Sequence, residues 1–320
     1  MVKVEHENFS VKQIARSGQC FRLNEIETGV FEVIAYGKRL HIIQEKDNGP
    51  VALCCSRQEY ETLWKRYFDL ETNYRYYIDH IDPDDHFLSR AVQAGGGIRI
   101  LRQELWETMV SFIISQNNSI PRIKKSIESL CVSCGIAHGE LFEGRQWYEF
   151  PSPESLLDEE AMAPAKLGYR AKYIASLARN VVDGVVNLED LAAMEPEEAG
   201  NYLKSIYGVG AKVAACIQLF ALHQLDSFPI DTWIKQIITA EYNGKFPVEM
   251  YSGFAGVIQQ YIFYYARKGQ TDENLQGMQK NKTHCELCGK RLNGKWTIIK
   301  NRINGNELTI CKECVEKFGF

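Results

Sequence analysis

The sequence predicts an α+β protein: an antiparallel β-rich N-terminal domain, a mainly α-helical core and a small cysteine-paired module. Three observations carry that reading. Residues 9–55 alternate apolar with polar and are rich in β-formers. From about Asp82 onward, apolar residues recur at spacings of three and four. The closing segment holds four of the chain's ten cysteines in two Cys-x-x-Cys pairs. The domains expected are 1–80 and 81–270, then a polar linker at 271–283 and a module at 284–320.

In order, "CFRLNEI", "GVFEVIAYG", "KRLHIIQE" and "VALCCS" read as strands, punctuated by Gly29, Gly37 and the Asp47–Pro50 cluster. "RQEYETLWKRYFDL" reads as a helix. Helical spacing returns in "ELWETMVSFIIS", "RIKKSIESLC", "RAKYIASLARNVV", "EEAGNYLKSIY" and "SGFAGVIQQYIFYYAR". The stretch "KGQTDENLQGMQKNK" has linker composition, and the sequence has no internal repeat.

At 320 residues with 45% hydrophobic and 24% charged side chains, the chain can bury a sizeable core. No apolar run approaches the roughly 18 residues of a membrane span, and the start lacks signal-peptide design. The expected setting is the cytoplasm, beside the nucleoid, or a nucleus in a eukaryote. Net charge is −4, which argues against indiscriminate nucleic-acid binding. It is unevenly spread: Lys280–Phe320 carries nine Lys/Arg against four Glu, a net +5, leaving −9 on residues 1–279.

"AGNYLKSIYGVGAKVAACIQLFAL" reads as helix, Gly-x-Gly turn, helix, with Gly208, Val209 and Gly210 at the turn. Glycines there leave amides of the turn and of the next helix's N-terminus open to a phosphate. This is the helix-hairpin-helix pattern for gripping a DNA backbone without reading bases, although Gly-Val-Gly alone also fits a plain turn between packed helices. Lys212 adds chemistry. It sits in the first turn of the second helix, ahead of Val213, Ala214, Ala215, Cys216, Ile217, Leu219 and Phe220. The positive end of the helix and apolar neighbours both favour a neutral amine there, which is the nucleophilic form. Asp231 precedes "TWIKQIITAEY" as its N-cap, which fixes the carboxylate in place. A phosphate-binding hairpin, an amine and an oriented carboxylate together suit attack at a sugar carbon of DNA, with the carboxylate steadying the cationic sugar.

The same residues resemble the helix-hairpin-helix DNA glycosylases in their lysine-bearing, bifunctional form. "SGQCFRL" (17–23), "GIRILRQELWETMVSFIISQNNSIPRI" (97–123), "KLGYRAKYI" (166–174) and "AGVIQQYIFYYAR" (255–267) are similar to the 8-oxoguanine DNA glycosylase family over roughly residues 9–270. That resemblance implies excision of 8-oxoguanine from duplex DNA by Lys212 and Asp231, then strand nicking, by a monomer needing no cofactor for the chemical step. It implies that the Gly18 carbonyl meets the N7 hydrogen of the lesion, that Cys216 and Phe263 stack on the base, and that Gln259 bonds its pairing edge. It also implies that Asn117 fills the vacated stack while Arg122, Tyr169 and Arg170 meet the partner base. On local sequence alone, Gly18 is a turn glycine, Cys216 and Phe263 are core residues, and the arginines are solvated surface. Trp233 departs from the better-known eukaryotic members, which carry His at that position.

Two rival readings remain open. An endonuclease III type of lyase shares the hairpin, but its iron–sulfur run C-x6-C-x2-C-x5-C differs from the C-x2-C-x22-C-x2-C seen here. A non-catalytic damage-binding module would not need both Lys212 and Asp231. The tail cysteines Cys285, Cys288, Cys311 and Cys314 suit tetrahedral zinc around a hairpin turning at Asn304–Gly305. A redox pair or free thiols are the alternatives, with His284 a substitute ligand. Lys290, Arg291, Lys295, Lys300 and Arg302 make the module basic, for phosphate contacts, as a solvated face or for docking a protein. Cys131 and Cys134 also have ligand spacing but read as structural.

Overall fold

The structure, a computed structural model, describes residues 1–139, 146–280, 296–300 and 307–311, with backbone only beyond residue 267. The chain divides into two compact units, Met1–Ala266 and Arg267–Phe320.

Five antiparallel strands open the first unit: β1 (Val2–Val4), β2 (Leu23–Glu27), β3 (Val30–Ala35), β4 (Lys38–Ile43) and β5 (Val51–Leu53). They lie in the order β1-β5-β4-β3-β2. Register follows the alternation: Phe31 pairs with Ile42 and Val33 with Leu40, all four buried on one face. Between Ala35 and Lys38 only Tyr36 and Gly37 turn the chain, both with positive φ (52° and 63°), as a tight two-residue hairpin requires. The sheet packs on α1 (Val11–Arg16) and on the helical stretch from Arg57 to Tyr67, which Ser56 and Glu59 start with a reciprocal capping box. Its middle, Tyr60–Trp64, is a π-helix, and Trp64, Tyr67 and Phe68 are buried against the sheet.

The helical part contains α2 (Leu105–Ile114), α3 (Ile120–Cys134), α4 (Arg170–Val182), α5 (Pro196–Ser205), α6 (Ala211–Phe220), α7 (Thr232–Glu241) and α8 (Ala255–Lys280). Shorter helices Tyr74–Asp79, His86–Gly95 and Leu188–Ala193 fill between them, and β6 (Ala137–His138) pairs with β7 (Trp147–Tyr148) beyond α3. Met109, Ile113, Ile174, Leu203, Ile217 and Ile258, each fully buried, mark the common core of the helices. The two cores interlock. Leu101 belongs to the sheet cluster, whereas Phe21 and Tyr74 belong to the helical one. The fully buried Arg99 donates to the carbonyls of Asp69 (2.8 Å) and Asn8 (3.1 Å) at their junction.

Two features differ from the sequence reading. β1 was not foreseen, being three residues long and at the chain's start. The expected linker at 271–283 instead continues α8 to Lys280, because Gln, Glu, Leu, Met and Lys without a proline sustain a helix. In the second unit, β8 (Trp296–Lys300) and β9 (Glu307–Cys311) pair antiparallel, as the expected hairpin requires. Among the described residues, no helix is long and apolar enough to cross a membrane.

Candidate active site

The hairpin forms as its glycines suggest. α5 ends at Ser205, Ile206 and Val209 turn inward, and the Val209 amide donates to the Ile206 carbonyl at 3.0 Å. Gly208 has φ +86°, and any side chain there would run into the ring of Tyr173. Gly210, exposed, is the N-cap of α6, and no side chain makes a capping hydrogen bond to the helix. That leaves the positive end of a ten-residue helix facing outward, a setting for a phosphate oxygen.

One turn into α6, a recess gathers residues from five parts of the chain. Gly18, Phe112, Lys212, Cys216, Phe220, Pro229, Asp231, Gln259, Gln260 and Phe263 line it. Both residues expected to carry the chemistry and all four expected to recognise the base are among them. Lys212 is half-buried, with Nζ 3.4 Å from Ser115 Oγ and 5.1 Å from the centroid of the Phe112 ring. Asp231 caps α7, its Oδ1 accepting from the Ile234 amide at 2.8 Å. Capping and lining the recess are therefore the same placement. Burial pushes the Cys216 thiol up to about 11; Lys212 opposes that rise and Asp231 adds to it. Cys216 is thus a neutral, apolar surface rather than a competing nucleophile.

Gly18, at φ +77°, brings bare backbone to the recess wall. α8, which also lines the recess, is tied by the Gly256 amide donating to the Leu225 carbonyl at 2.7 Å. Gln259 is buried and donates from Nε2 to the Pro229 carbonyl at 3.0 Å; Phe263 follows one turn later, half-buried. Phe112, Phe220, Pro229 and Gln260 were not singled out from the sequence. The aromatics carried only a core signal, and they are core as well as wall. Gln260 had one: a second amide inside the apolar run "AGVIQQYIF".

A second cluster adjoins the recess through the break after α2. Gln116 Nε2 donates to the Gly208 carbonyl at 2.9 Å, tying the break to the hairpin turn. Asn117 has φ +47°, and its Nδ2 lies 3.4 Å from the Tyr169 hydroxyl. Arg170 packs over the Tyr169 ring at 4.6 Å and donates to the carbonyls of Gln116, Asn117 (3.2 Å) and Leu167 (3.1 Å). Arg122 is exposed in the first turn of α3. In the tail, Cys311 ends β9, while Cys285, Cys288 and Cys314 lie outside the described residues.

Residues 1–109 match the family model for the 8-oxoguanine DNA glycosylase N-terminal domain, and residues 110–245 that for HhH-GPD superfamily base excision DNA repair proteins. Among solved structures, MBOgg1 in complex with a low-affinity DNA ligand is similar with a TM-score of 0.78 and 38% identity, covering 84% of this chain and 96% of that one. The chain belongs to the 8-oxoguanine DNA glycosylase family. The 8-oxoguanine glycosylase/lyase of Clostridium acetobutylicum, in complex with DNA carrying cytosine opposite 8-oxoguanine, is similar at a TM-score of 0.76 and 34% identity, covering 82% and 93%. The N-glycosylase/DNA lyase of Saccharomyces cerevisiae is 33% identical over 204 residues, 59% of this chain. That match spans about half, 53%, of the yeast protein's own length. Both family models end before α8, so Gln259, Gln260 and Phe263 are brought to this glycosylase-family site by the fold rather than by the matched segments.

Proposed function

We propose that this protein is a bifunctional DNA glycosylase and AP lyase that flips 8-oxoguanine out of duplex DNA, excises it and nicks the strand. The observation that carries this is the recess where an amine, a helix-capping carboxylate, a buried amide and an aromatic face meet beside a helix N-terminus that no side chain caps. The hairpin holds the backbone through phosphate oxygens, which positions DNA without reading sequence. The extruded base enters between Cys216 and Phe263, with Gln259 on its pairing edge. Lys212 Nζ attacks C1′, the bond from C1′ to the base breaks, and the departing base takes up a proton. Asp231 faces the positive charge that develops on the sugar as that bond stretches. The sugar ring then opens to a Schiff base, and loss of a C2′ proton expels the 3′ phosphate.

The second unit supports a further proposal, a structural zinc held by Cys285, Cys288, Cys311 and Cys314. Pairing of Trp296 with Cys311 folds the segment between the two Cys-x-x-Cys pairs back on itself, which suits a four-thiolate donor set. Zinc there would supply folding energy and take no part in the reaction.

Borohydride trapping tests the main reading. A duplex carrying 8-oxoguanine should give a covalent protein–DNA adduct, whereas an undamaged duplex should give none. A panel of damaged bases should show excision of oxidised guanine ahead of oxidised pyrimidines. Absence of an adduct together with intact binding would return the protein to the class of non-catalytic damage binders.

A further inference from the structure

Gln260 lies beside Gln259 on α8, is 3% exposed, and lines the same recess. Its Nε2 donates to Gln259 Oε1 at 3.0 Å, while its own Oε1 is shut off from solvent and has no hydrogen-bond partner. Helical geometry sets Gln260 about 100° around the axis from Gln259 and about 60° from Phe263, so all three share one side of α8.

The direction of this amide pair is forced. The Pro229 carbonyl can only accept, so the Gln259 –NH2 must face it, at 3.0 Å. The Gln259 oxygen is then turned to Gln260, which must meet it with its own –NH2. What remains at the end of the relay is an oxygen. The pair therefore keeps two acceptors with capacity to spare: Gln260 Oε1, unpartnered, and Gln259 Oε1, engaged once by Gln260. A buried acceptor left empty is a standing cost that native proteins rarely carry without a reason.

We propose that Gln260 is a specificity-determining residue whose Oε1 accepts the exocyclic 2-amino hydrogen of the flipped guanine-type base, beside Gln259. The inference rests on the reading of this recess as a base pocket and names which edge it selects. Guanine and its 8-oxo derivative offer two adjacent donors, N1–H and the 2-amino group, which match two acceptors. An adenine-type edge sets a lone pair at N1 against them and is rejected. The Gln260 amide group also holds the Gln259 oxygen toward the base rather than letting the amide turn over.

The test crosses two enzymes with two substrates. Excision by the full-length protein is measured on duplexes carrying 8-oxoguanine or 8-oxohypoxanthine, which differ only in the 2-amino group. Wild type should favour 8-oxoguanine by about tenfold, the scale of one net hydrogen bond. In Gln260→Met, which keeps the length and removes both polar atoms, that ratio should fall to near unity. Gln260→Ala should lower it likewise. Because each ratio is taken within one preparation, any misfolded fraction cancels. A ratio unchanged in both variants would overturn the role of Gln260, as would a wild type that excises both bases equally well. A wild type that excises neither base would instead overturn the functional reading of the recess.

Discussion

Lys212 and Asp231 are held by different means, and their substitutions should separate accordingly. Lys212 reaches the recess from the first turn of α6, with Ser115 and the Phe112 ring beside its Nζ. Lys212→Gln should abolish base release and strand nicking while duplex binding persists, measured by single-turnover excision alongside a binding titration; wild-type excision by the variant would remove Lys212 from the mechanism. Asp231 both caps α7 and lines the recess. Asp231→Asn keeps a competent cap, so its melting temperature should stay near wild type while excision falls by about 100-fold or more. A loss of activity only in step with stability would reduce Asp231 to its cap. The placement of Lys212 and Asp231 was legible because helical spacing and capping rules act over four or five residues. Lys212 and Asp231 declare themselves within single elements, whereas the parts given to Cys216, Gln259 and Phe263 came from resemblance, since Cys216 and Phe263 read locally as core. Gln260 was not legible, since only the fold shows that its oxygen finds no partner.

Among the elements, the break between α2 and α3 has the most instructive fastening. Resemblance gave Arg170 a part in meeting the partner base, yet in the unbound chain its guanidinium is engaged by the carbonyls of Gln116, Asn117 and Leu167. A planar fork with five N–H donors suits that task, and a lysine ammonium does not replace it. Arg170→Ala and Arg170→Lys should both loosen the loop that presents Asn117, lowering excision by about tenfold. If anchoring is the whole role, the loss should be the same with each of the four bases opposite the lesion; a loss confined to one opposing base would restore direct contact. The sequence showed this break through "QNNS" between two helical periods, but not its fastening, because the partners stand 53 and 54 residues apart. Strand and helix positions were likewise legible where a period repeated, as in β3, β4 and α4. The helix at Arg57–Tyr67 was legible too, though not the π-helical form of its middle, Tyr60–Trp64, and β1 is too short to show a period.

At the scale of the whole molecule, the first unit is joined by buried charge and the second contributes charge of its own. Asp69 is buried between Arg102 (3.0 Å) and His223 (3.2 Å), linking the end of the sheet domain's helical stretch to the exit of α6. Burial works against its charge, but His223 and Arg102 outweigh it and hold the carboxyl below its ordinary value. A depressed acid stabilises the fold fully above its unfolded pKa and loses that contribution as pH falls through the folded one. Asp69→Asn, which tolerates the left-handed backbone there (φ +51°), should therefore cost about 3 kcal/mol at pH 7. In thermal melts that gap should close below about pH 4, the unperturbed range for aspartate; a gap independent of pH would mean that the Asp69 charge contributes nothing.

The tail carries net +5 against −9 on the rest, and on the proposed function its basic residues would strengthen attraction for DNA that the body's net charge opposes. Every residue lining the recess lies in the first unit, hence the chemical step should not depend on the tail. Deleting residues 280–320 should leave single-turnover excision at saturating enzyme within about twofold, because the nucleophile and base pocket are unaltered. Affinity at low salt should fall, and the dependence of log K on log salt should flatten by about one unit for each phosphate that the tail had neutralised. Freshly purified full-length protein should hold one zinc per chain, and the deleted form none. Absence of zinc from the full-length protein would remove the metal from the proposal, and an unaltered salt slope would remove the phosphate contacts, leaving the basic module as a surface for some other partner.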